Sequence, residues 1–477
     1  MTHVVVIGNG MAGHRVAAET HRRGTGVRVT VVGGEPRPAY NRVLLTNLLA
    51  GRATEESIDL PGLPPEISVR TGRTALAVDP SRRTVTLDDG DVLRYDRLVL
   101  ATGSLPFVPP VKRLARDDGR LLPGVVPFRT LDDCRQIMRL AGTGARALVL
   151  GGGLLGIEAA RGLAQRGLDV QILHVAPHLM ERQLDGPGGR MLAASLAELG
   201  IRALTGIDVV AATGGDRFTG VQLADGRTVP GDLLVVACGT RPDTALARSA
   251  GLDTGRGVLV DAWMRTSDPS VYAVGDCAEH AGTVSGLVAA AWEQARIVAD
   301  ALTGAADAVP YQGAAAVTRL KAAGIDLAAM GDPYAGSHAG ADAEGASGDA
   351  VEVIGYTDTR RGVYQRILLR DDRIAGAVLL GDTSTAGRVT RLFDRQEPVP
   401  RDRRLLLFPE LADGGPGKSP ESLPDDAVVC QCNGVTKGAL LRCRADGASD
   451  LAAVAERTRA TTGCGGCTSL VEELLDR

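Results

Sequence analysis

Two glycine turns, Gly8-Asn-Gly10-Met-Ala-Gly13 and Gly151-Gly-Gly153-Leu-Leu-Gly156, constrain this chain more than any other feature. The first closes a short apolar strand, His3 to Ile7, and opens a segment with helical spacing from Met11 to Arg22. A second strand, Thr30 to Val32, runs out to Glu35, twenty-two positions beyond Gly13. Strand, tight turn, helix, strand and acid in that order form a dinucleotide fingerprint. The pyrophosphate meets orphan N–H groups at the helix N-terminus, and the acid accepts both ribose hydroxyl protons. The unit recurs as a strand from Ala145 to Leu150, the second turn, a helix through Arg166 and a strand from Asp169 to Leu173. Two bound nucleotides are expected.

Between the units lies Leu98-Val-Leu-Ala101-Thr102-Gly103-Ser104, and after the second comes Asp232-Leu-Leu-Val-Val-Ala-Cys-Gly239-Thr-Arg-Pro242. Both are strands ending in small-residue turns, which let the chain pass close to a cofactor and change domain. The expected fold is α/β, with two Rossmann-like dinucleotide-binding domains, one inserted in the other. Residues 1–108 and 241–304 form the first and 109–240 the second. Residues 305–408 alternate strands and turns as an α+β third domain with no catalytic set, in which Lys321 reads as a solvated lysine. The Gly-, Ala-, Ser- and Asp-rich stretch 335–350 reads as a mobile loop. Residues 409–427 have linker composition, which would allow movement of the small helical domain, 428–477, that follows.

That last domain carries Cys430-Gln-Cys432, then thirty-one residues, then Cys464-Gly-Gly-Cys467. Two tight thiolate pairs suit one 2Fe–2S cluster, with Asn433-Gly434 and Gly465-Gly466 letting amides approach the sulfurs. Four thiolates also suit zinc, but a redox cluster is the natural companion of two nucleotides. Ser449 or Asp450 is expected to cap a helix through Leu451 and Val454, and Ser469-Leu-Val-Glu472 to open the last one. The remaining cysteines, Cys134, Cys238, Cys277 and Cys443, lack pair spacing and read as core residues.

A formal net charge of −4 gives no electrostatic footprint for nucleic acid or an anionic membrane. No signal sequence or long apolar run is legible, so a cytoplasmic protein is expected.

Taken together, residues 1 to about 300 resemble the two-dinucleotide-domain flavoprotein reductases, the superfamily of ferredoxin, rubredoxin and pyridine nucleotide-disulfide reductases. The resemblance implies FAD on the first fingerprint, NAD(P)H on the second, and Asp276, in Val271-Tyr-Ala-Val-Gly275-Asp276, beside the flavin ribityl and pyrophosphate. The segment Pro38-Ala-Tyr40-Asn-Arg42-Val-Leu-Leu-Thr46 through Gly51 resembles the same region of nitrite reductase large subunits and assimilatory nitrate reductase electron-transfer subunits, and implies Arg42 against FAD. Many ferredoxin reductases carry a lysine near the position of Asn47, and this chain does not. Residues 305–410 resemble the domain that covers one side of the flavin and serves assembly in these relatives. Residues from Val428 onward resemble the bacterioferritin-associated-ferredoxin-like 2Fe–2S domain.

These readings assign Gly8, Gly10, Gly13, Glu35, Arg42, Ala101, Thr102, Gly103, Gly275 and Asp276 to FAD. Gly151, Gly153, Gly156, Glu158, His174 and Gly239 are assigned to NAD(P)H, and Cys430, Cys432, Cys464 and Cys467 to the cluster. No catalytic acid or base is expected, because hydride transfer needs only stacked rings at near-attack distance. Disulfide and peroxide chemistry beside the flavin is disfavoured, since no cysteine precedes Cys134. The position that usually carries an acid for NAD or a basic pair for NADP is His174, so NADH is expected from the resemblance, with NADPH as the alternative. The functional expectation is an electron-transfer subunit passing electrons from NADH through FAD and a 2Fe–2S cluster to a separate nitrate or nitrite reductase catalytic subunit. A reductase for a small electron carrier such as ferredoxin or rubredoxin, and a redox-sensing cluster protein, are the alternatives.

Overall fold

In the computed structural model, residues 1–477 are described except 25, 143, 306–307, 315–316, 321, 336–350, 412–422, 431–432, 462–466 and 476–477. Lys321, nearly all of the 335–350 stretch, most of the 409–427 linker and the thiols Cys432 and Cys464 therefore lie outside the described residues.

Val4, Val5 and Val6 are fully buried, as a strand covered on both faces requires, and the strand Thr2–Ile7 sits at the centre of a parallel sheet. Its order is Val271–Ala273, Arg97–Leu100, Thr2–Ile7, Val27–Gly33, Ser68–Thr71. The helix Met11–Arg23 packs on this sheet beside Val288–Thr303, burying Val16 and Ala17 with Ala295 and Val298. A second parallel sheet repeats the plan, ordered Ile201–Leu204, Asp169–Leu173, Arg146–Leu150, Leu233–Val236, Val125–Pro127. The chain leaves the first sheet after Leu100 and returns to it at Val271, so the second sheet is inserted in the first. The two crossing segments, Ser104–Pro106 and Thr240–Pro242, run antiparallel as a two-stranded ladder.

The third sheet is antiparallel throughout, ordered Val317–Arg319, Leu327–Gly331, Arg373–Leu380, Val363–Arg370, Glu352–Asp358. Leu327, Ala329, Val378 and Leu380 share one core with Leu179, Met180, Leu184 and Leu192, so this sheet is seated on the second dinucleotide unit. Asp185 is the knot at that seam. It caps the helix Gly186–Glu198 through the Gly188 N–H, and accepts from the Tyr364 hydroxyl and from Arg366, each at 2.6 Å.

The C-terminal unit is a short hairpin, Val428–Cys430 with Val435–Thr436, followed by helices Lys437–Ala445, Leu451–Thr458 and Thr468–Leu475 around their own small core. Asp450 caps the middle helix, accepting from the Ala453 N–H at 2.8 Å. The last helix begins at Thr468, so Ser469 falls inside its first turn rather than before it. No described helix is long and apolar enough to cross a membrane.

Candidate functional site

The two glycine turns fold alike because each must pass a neighbouring strand at backbone contact. A β-carbon on Gly8 (φ 112°) would stand 2.0 Å from the Ala101 carbonyl oxygen, and one on Gly13 1.9 Å from the Gly8 carbonyl oxygen. In the second turn, Gly151 (φ 116°) meets Ala237 at 2.4 Å and Gly156 meets Gly151 at 2.0 Å. Among the described residues nothing lies within 4 Å of such a carbon on Gly10 or Gly153, so both turns are closed on the sheet side and open outward. These two glycines are also the N-caps of Met11–Arg23 and Leu154–Gln165. Neither helix has a side-chain cap or an acid in its first turn, so its first N–H groups are left for an anion. Beside the first turn, Asn9 Oδ1 is buried with no partner among the described residues, an acceptor of the kind a ligand satisfies. Both cradles fit a pyrophosphate.

Around the first cradle the structure gathers the polar residues. Glu35 accepts from Arg42 at 2.6 Å and from the Tyr40 hydroxyl at 3.0 Å. Asp276 accepts from Arg129 at 2.5 Å and from the Ser104 hydroxyl at 2.9 Å. Arg129 joins the two groups, because its carbonyl accepts from Arg42 at 3.3 Å. Gly275 (φ 77°) lies against the start of the first fingerprint helix, where an added carbon would be 2.9 Å from the Ala12 β-carbon. At the crossing, Thr102 donates to the Asp243 carbonyl, Asp243 N–H returns to Gly103, and Phe107 N–H donates to Gly239.

Sequence reasoning missed Arg129. The signal was the capping box of Thr130 and Asp133, which opens the helix Leu131–Leu140 and so fixes Arg129 at its mouth.

The second set is more dispersed. Glu158 is buried and accepts from the Thr46 hydroxyl at 2.9 Å, which ties its helix to Leu45–Leu49. His174 is buried at the end of Asp169–Leu173, where its Nδ1 accepts from the Gly152 N–H at 3.0 Å and its Nε2 lies 3.0 Å from Glu181 Oε2.

Of the four paired thiols, Cys430 and Cys467 are described, and both are buried in the same small core, at 0% and 5% exposure. Two thiols converging on one core fit a shared metal cluster. Among the other cysteines, Cys134, Cys277 and Cys443 are buried and Cys238 is partly so. Burial pushes the Cys134 thiol up to about 12 and the Cys238 thiol up to about 11, which disfavours the nucleophilic thiolate at both.

The C-terminal unit lies directly on the first cradle's flank. Asn41, between Tyr40 and Arg42, donates to Asn433 at 3.2 Å, and Asn433 donates to the Arg459 carbonyl at 2.6 Å. Arg459 in turn reaches the Ser57 carbonyl at 2.7 Å. Cys430 is thus three residues from a side chain that touches the segment beside Glu35.

Two parallel sheets with paired glycine cradles, one inserted in the other, define a class of proteins that handle two dinucleotides. The chain belongs to the pyridine nucleotide-disulphide oxidoreductase family, whose pattern matches residues 2–295. A rubredoxin NAD+ reductase C-terminal domain matches residues 317–397, and a BFD-like [2Fe-2S] binding domain matches residues 428–477. Its cofactors are accordingly FAD, NAD(P)H and a 2Fe–2S cluster, and it is an oxidoreductase.

Among curated proteins it is 36% identical to a nitrite reductase [NAD(P)H] of Bacillus subtilis, over 99% of this chain and 57% of that protein. It is also 36% identical to the assimilatory nitrate reductase electron transfer subunit of the same organism, over 99% and 59%. The chain therefore spans somewhat more than half the length of these relatives. Among solved structures, the putidaredoxin reductase–putidaredoxin complex superposes with a TM-score of 0.74 at 28% identity, over 85% of this chain and 95% of that one. A ferredoxin reductase from Rhodopseudomonas palustris gives 0.73 at 26%, over 84% and 96%.

Proposed function

We propose that the protein passes electrons from NADH, through FAD and the 2Fe–2S cluster, to a separate assimilatory nitrate or nitrite reductase in the cytoplasm. In this reading residues 1–108 and 241–304 hold FAD, 109–240 hold NAD(P)H, and 428–477 hold the cluster. The observation that carries it is the Asn41–Asn433 hydrogen bond, which holds the Cys430 loop against the segment carrying Tyr40 and Arg42. The 36% identity to an assimilatory nitrate reductase electron transfer subunit supports the choice of acceptor.

When bound, FAD supplies two-electron acceptance with single-electron release, and the cluster supplies one-electron carriage. The chain's own part is placement. Gly8, Gly10 and Gly13, with Ala101, Thr102, Gly103 and Gly275, let backbone approach the first pyrophosphate, while Arg42 and Arg129 bring positive charge beside the acids Glu35 and Asp276. Gly151, Gly153, Gly156 and Gly239 do the same for the second nucleotide. No cysteine precedes Cys134 in the chain, so the segment after Glu35 offers no thiol for disulfide chemistry, and Cys430, Cys432, Cys464 and Cys467 would hold the cluster that supplies the one-electron exit.

Cys432→Ser or Cys464→Ser is the test. Stopped-flow bleaching of FAD by NADH should stay as fast as in the wild type, while delivery to the partner reductase stops. A variant lacking the cluster that still drives nitrate or nitrite reduction at the wild-type rate would overturn the relay. Residues 425–477 carry eight acids and six bases, so a basic docking face on the partner, and turnover that falls with salt, are also expected.

A further inference from the structure

The strand Asp169–Leu173 is paired in register with Arg146–Leu150, so His174 emerges level with Gly151 at the mouth of the second cradle. In a dinucleotide fold, this is the level at which an acid receives the adenosine ribose hydroxyls or a base receives a 2′-phosphate. His174 is turned away from either task. Its Nδ1 is the acceptor for the Gly152 N–H, which leaves Nε2 as the nitrogen bearing hydrogen, and that hydrogen points at Glu181 Oε2. A hydrogen on Nδ1 would confront the Gly152 N–H. The ring therefore connects the glycine turn to a carboxylate supplied from seven residues further along.

Glu181 is held from several sides. The chain turns at Met180, fully buried and in the left-handed region at φ 51°, a conformation that a non-glycine residue holds only where its surroundings demand it. Met180 N–H donates to the Gly152 carbonyl at 2.9 Å. The Tyr334 hydroxyl, from the third domain, lies 2.9 Å from the Glu181 carbonyl and 2.8 Å from that of Leu184. The His174 hydrogen bond holds the Glu181 carboxyl below the usual carboxylate range. Its side chain is 38% exposed, in contrast to 8% for His174, so the acid faces outward from a buried support.

We propose that Glu181 is the residue that selects NADH over NADPH, accepting hydrogen bonds from the adenosine ribose hydroxyls and repelling a 2′-phosphate, with His174 as its positioning residue. This rests on the assignment of the second cradle to the nicotinamide dinucleotide. A carboxylate takes two hydroxyl donors readily but meets a dianionic phosphate as a like charge, so one residue serves both selection and exclusion. Arg182, the next residue, is the rival: if its guanidinium reaches the ribose instead, the site favours NADPH.

Equilibrium titration of the oxidised, FAD-loaded protein with NAD+ and with NADP+, followed by flavin absorbance, tests the proposal without turnover. The wild type should bind NAD+ at least about tenfold more tightly than NADP+. Glu181→Gln should narrow that ratio, Glu181→Arg should invert it, and Arg182→Ala should leave NAD+ binding unchanged. His174→Leu should weaken NAD+ while leaving NADP+ unchanged or tighter, and His174→Gln, which keeps a donor toward Glu181, should restore the ratio. A His174→Leu variant that weakens both dinucleotides equally, or a Glu181→Arg ratio equal to that of the wild type, overturns the proposal while the second cradle keeps its nucleotide. Binding of neither dinucleotide overturns the cradle assignment itself.

Discussion

The ring of Trp292 lies flat enough against Gly434 that a β-carbon on the glycine would come within 2.8 Å of ring atom Cζ3. Trp292 stands near the start of the helix Val288–Thr303, with the Arg15 guanidinium 5.4 Å from its ring centroid. Gly434, at φ 62°, turns the hairpin that carries Cys430. The cluster domain is thus docked by a glycine that admits an aromatic face, as well as by the Asn41–Asn433 and Arg459–Ser57 contacts.

Gly434→Val should separate the two units. The added carbons collide with Trp292, and the left-handed backbone costs a β-branched residue roughly a further 1 kcal/mol or more. Flavin bleaching by NADH should be unchanged, while freeze-quench paramagnetic resonance should record cluster reduction slowed by about tenfold or more, since undocking lowers the effective concentration of donor and acceptor. An unchanged rate of cluster reduction would mean the docked pose is not the one that transfers electrons.

Gly8, Gly10 and Gly153 should respond differently to added bulk. Gly10→Val should leave the fold intact by circular dichroism and abolish FAD, because no atom of the described residues lies within 4 Å of the new carbon and a bound ligand is what it crowds. Gly153→Val should keep the yellow flavin and weaken nicotinamide binding. Gly8→Ala should instead lose stability, with the Ala101 carbonyl only 2.0 Å from its β-carbon. Equal flavin loss in the Gly10 and Gly153 variants would contradict the order of the two sites.

Tyr40 gives a pH signature. Burial, opposed by Arg42, pushes its hydroxyl up to about 12, so the folded state holds that proton more tightly than the unfolded chain does. Stability from this group is complete below pH 10, the ordinary tyrosine value, and is lost as pH rises toward about 12. Tyr40→Phe should flatten that part of the denaturation-versus-pH profile. It should also cost about 1 kcal/mol at neutral pH, since the hydroxyl donates to Glu35 and accepts from the Leu131 N–H.

Tyr364→Phe removes one of the donors to Asp185, at the seam between the third sheet and the second dinucleotide unit. A hydrogen bond to a charged group contributes about 1.5–3 kcal/mol, so chemical denaturation should show a loss of that order with FAD content unchanged. A loss below about 0.5 kcal/mol would mean Arg366 and the Gly188 N–H satisfy the carboxylate without the tyrosine.

Features governed by local spacing were legible in the chain. Gly8, Gly13, Gly151 and Gly156 announce themselves because only glycine passes a neighbouring strand at such distances, and Val4 to Val6 because a strand buried on both faces is continuously apolar. Contacts made by chain return were not. Nothing near Asn41 predicts Asn433, and nothing near Asp185 predicts Tyr364, since each pair depends on how separate cores stack. His174 drew notice as a missing acid, but Glu181 did not, because its approach depends on the left-handed turn at buried Met180, a residue type with no preference for that conformation.

The insertion of one sheet in the other implies an order of synthesis. Every strand of the second sheet lies between Val125 and Val236, so that sheet is complete before Val271–Ala273 exists. The first cradle rests against Ala101 and Gly275 and needs that last strand, whose neighbour Val274 N–H bonds Leu100. On a growing chain, then, the inner unit is expected to become protease-resistant first, and flavin capture to mark the closing of the outer one. Chains truncated before Val271 should show the resistant inner fragment yet remain colourless in the presence of FAD.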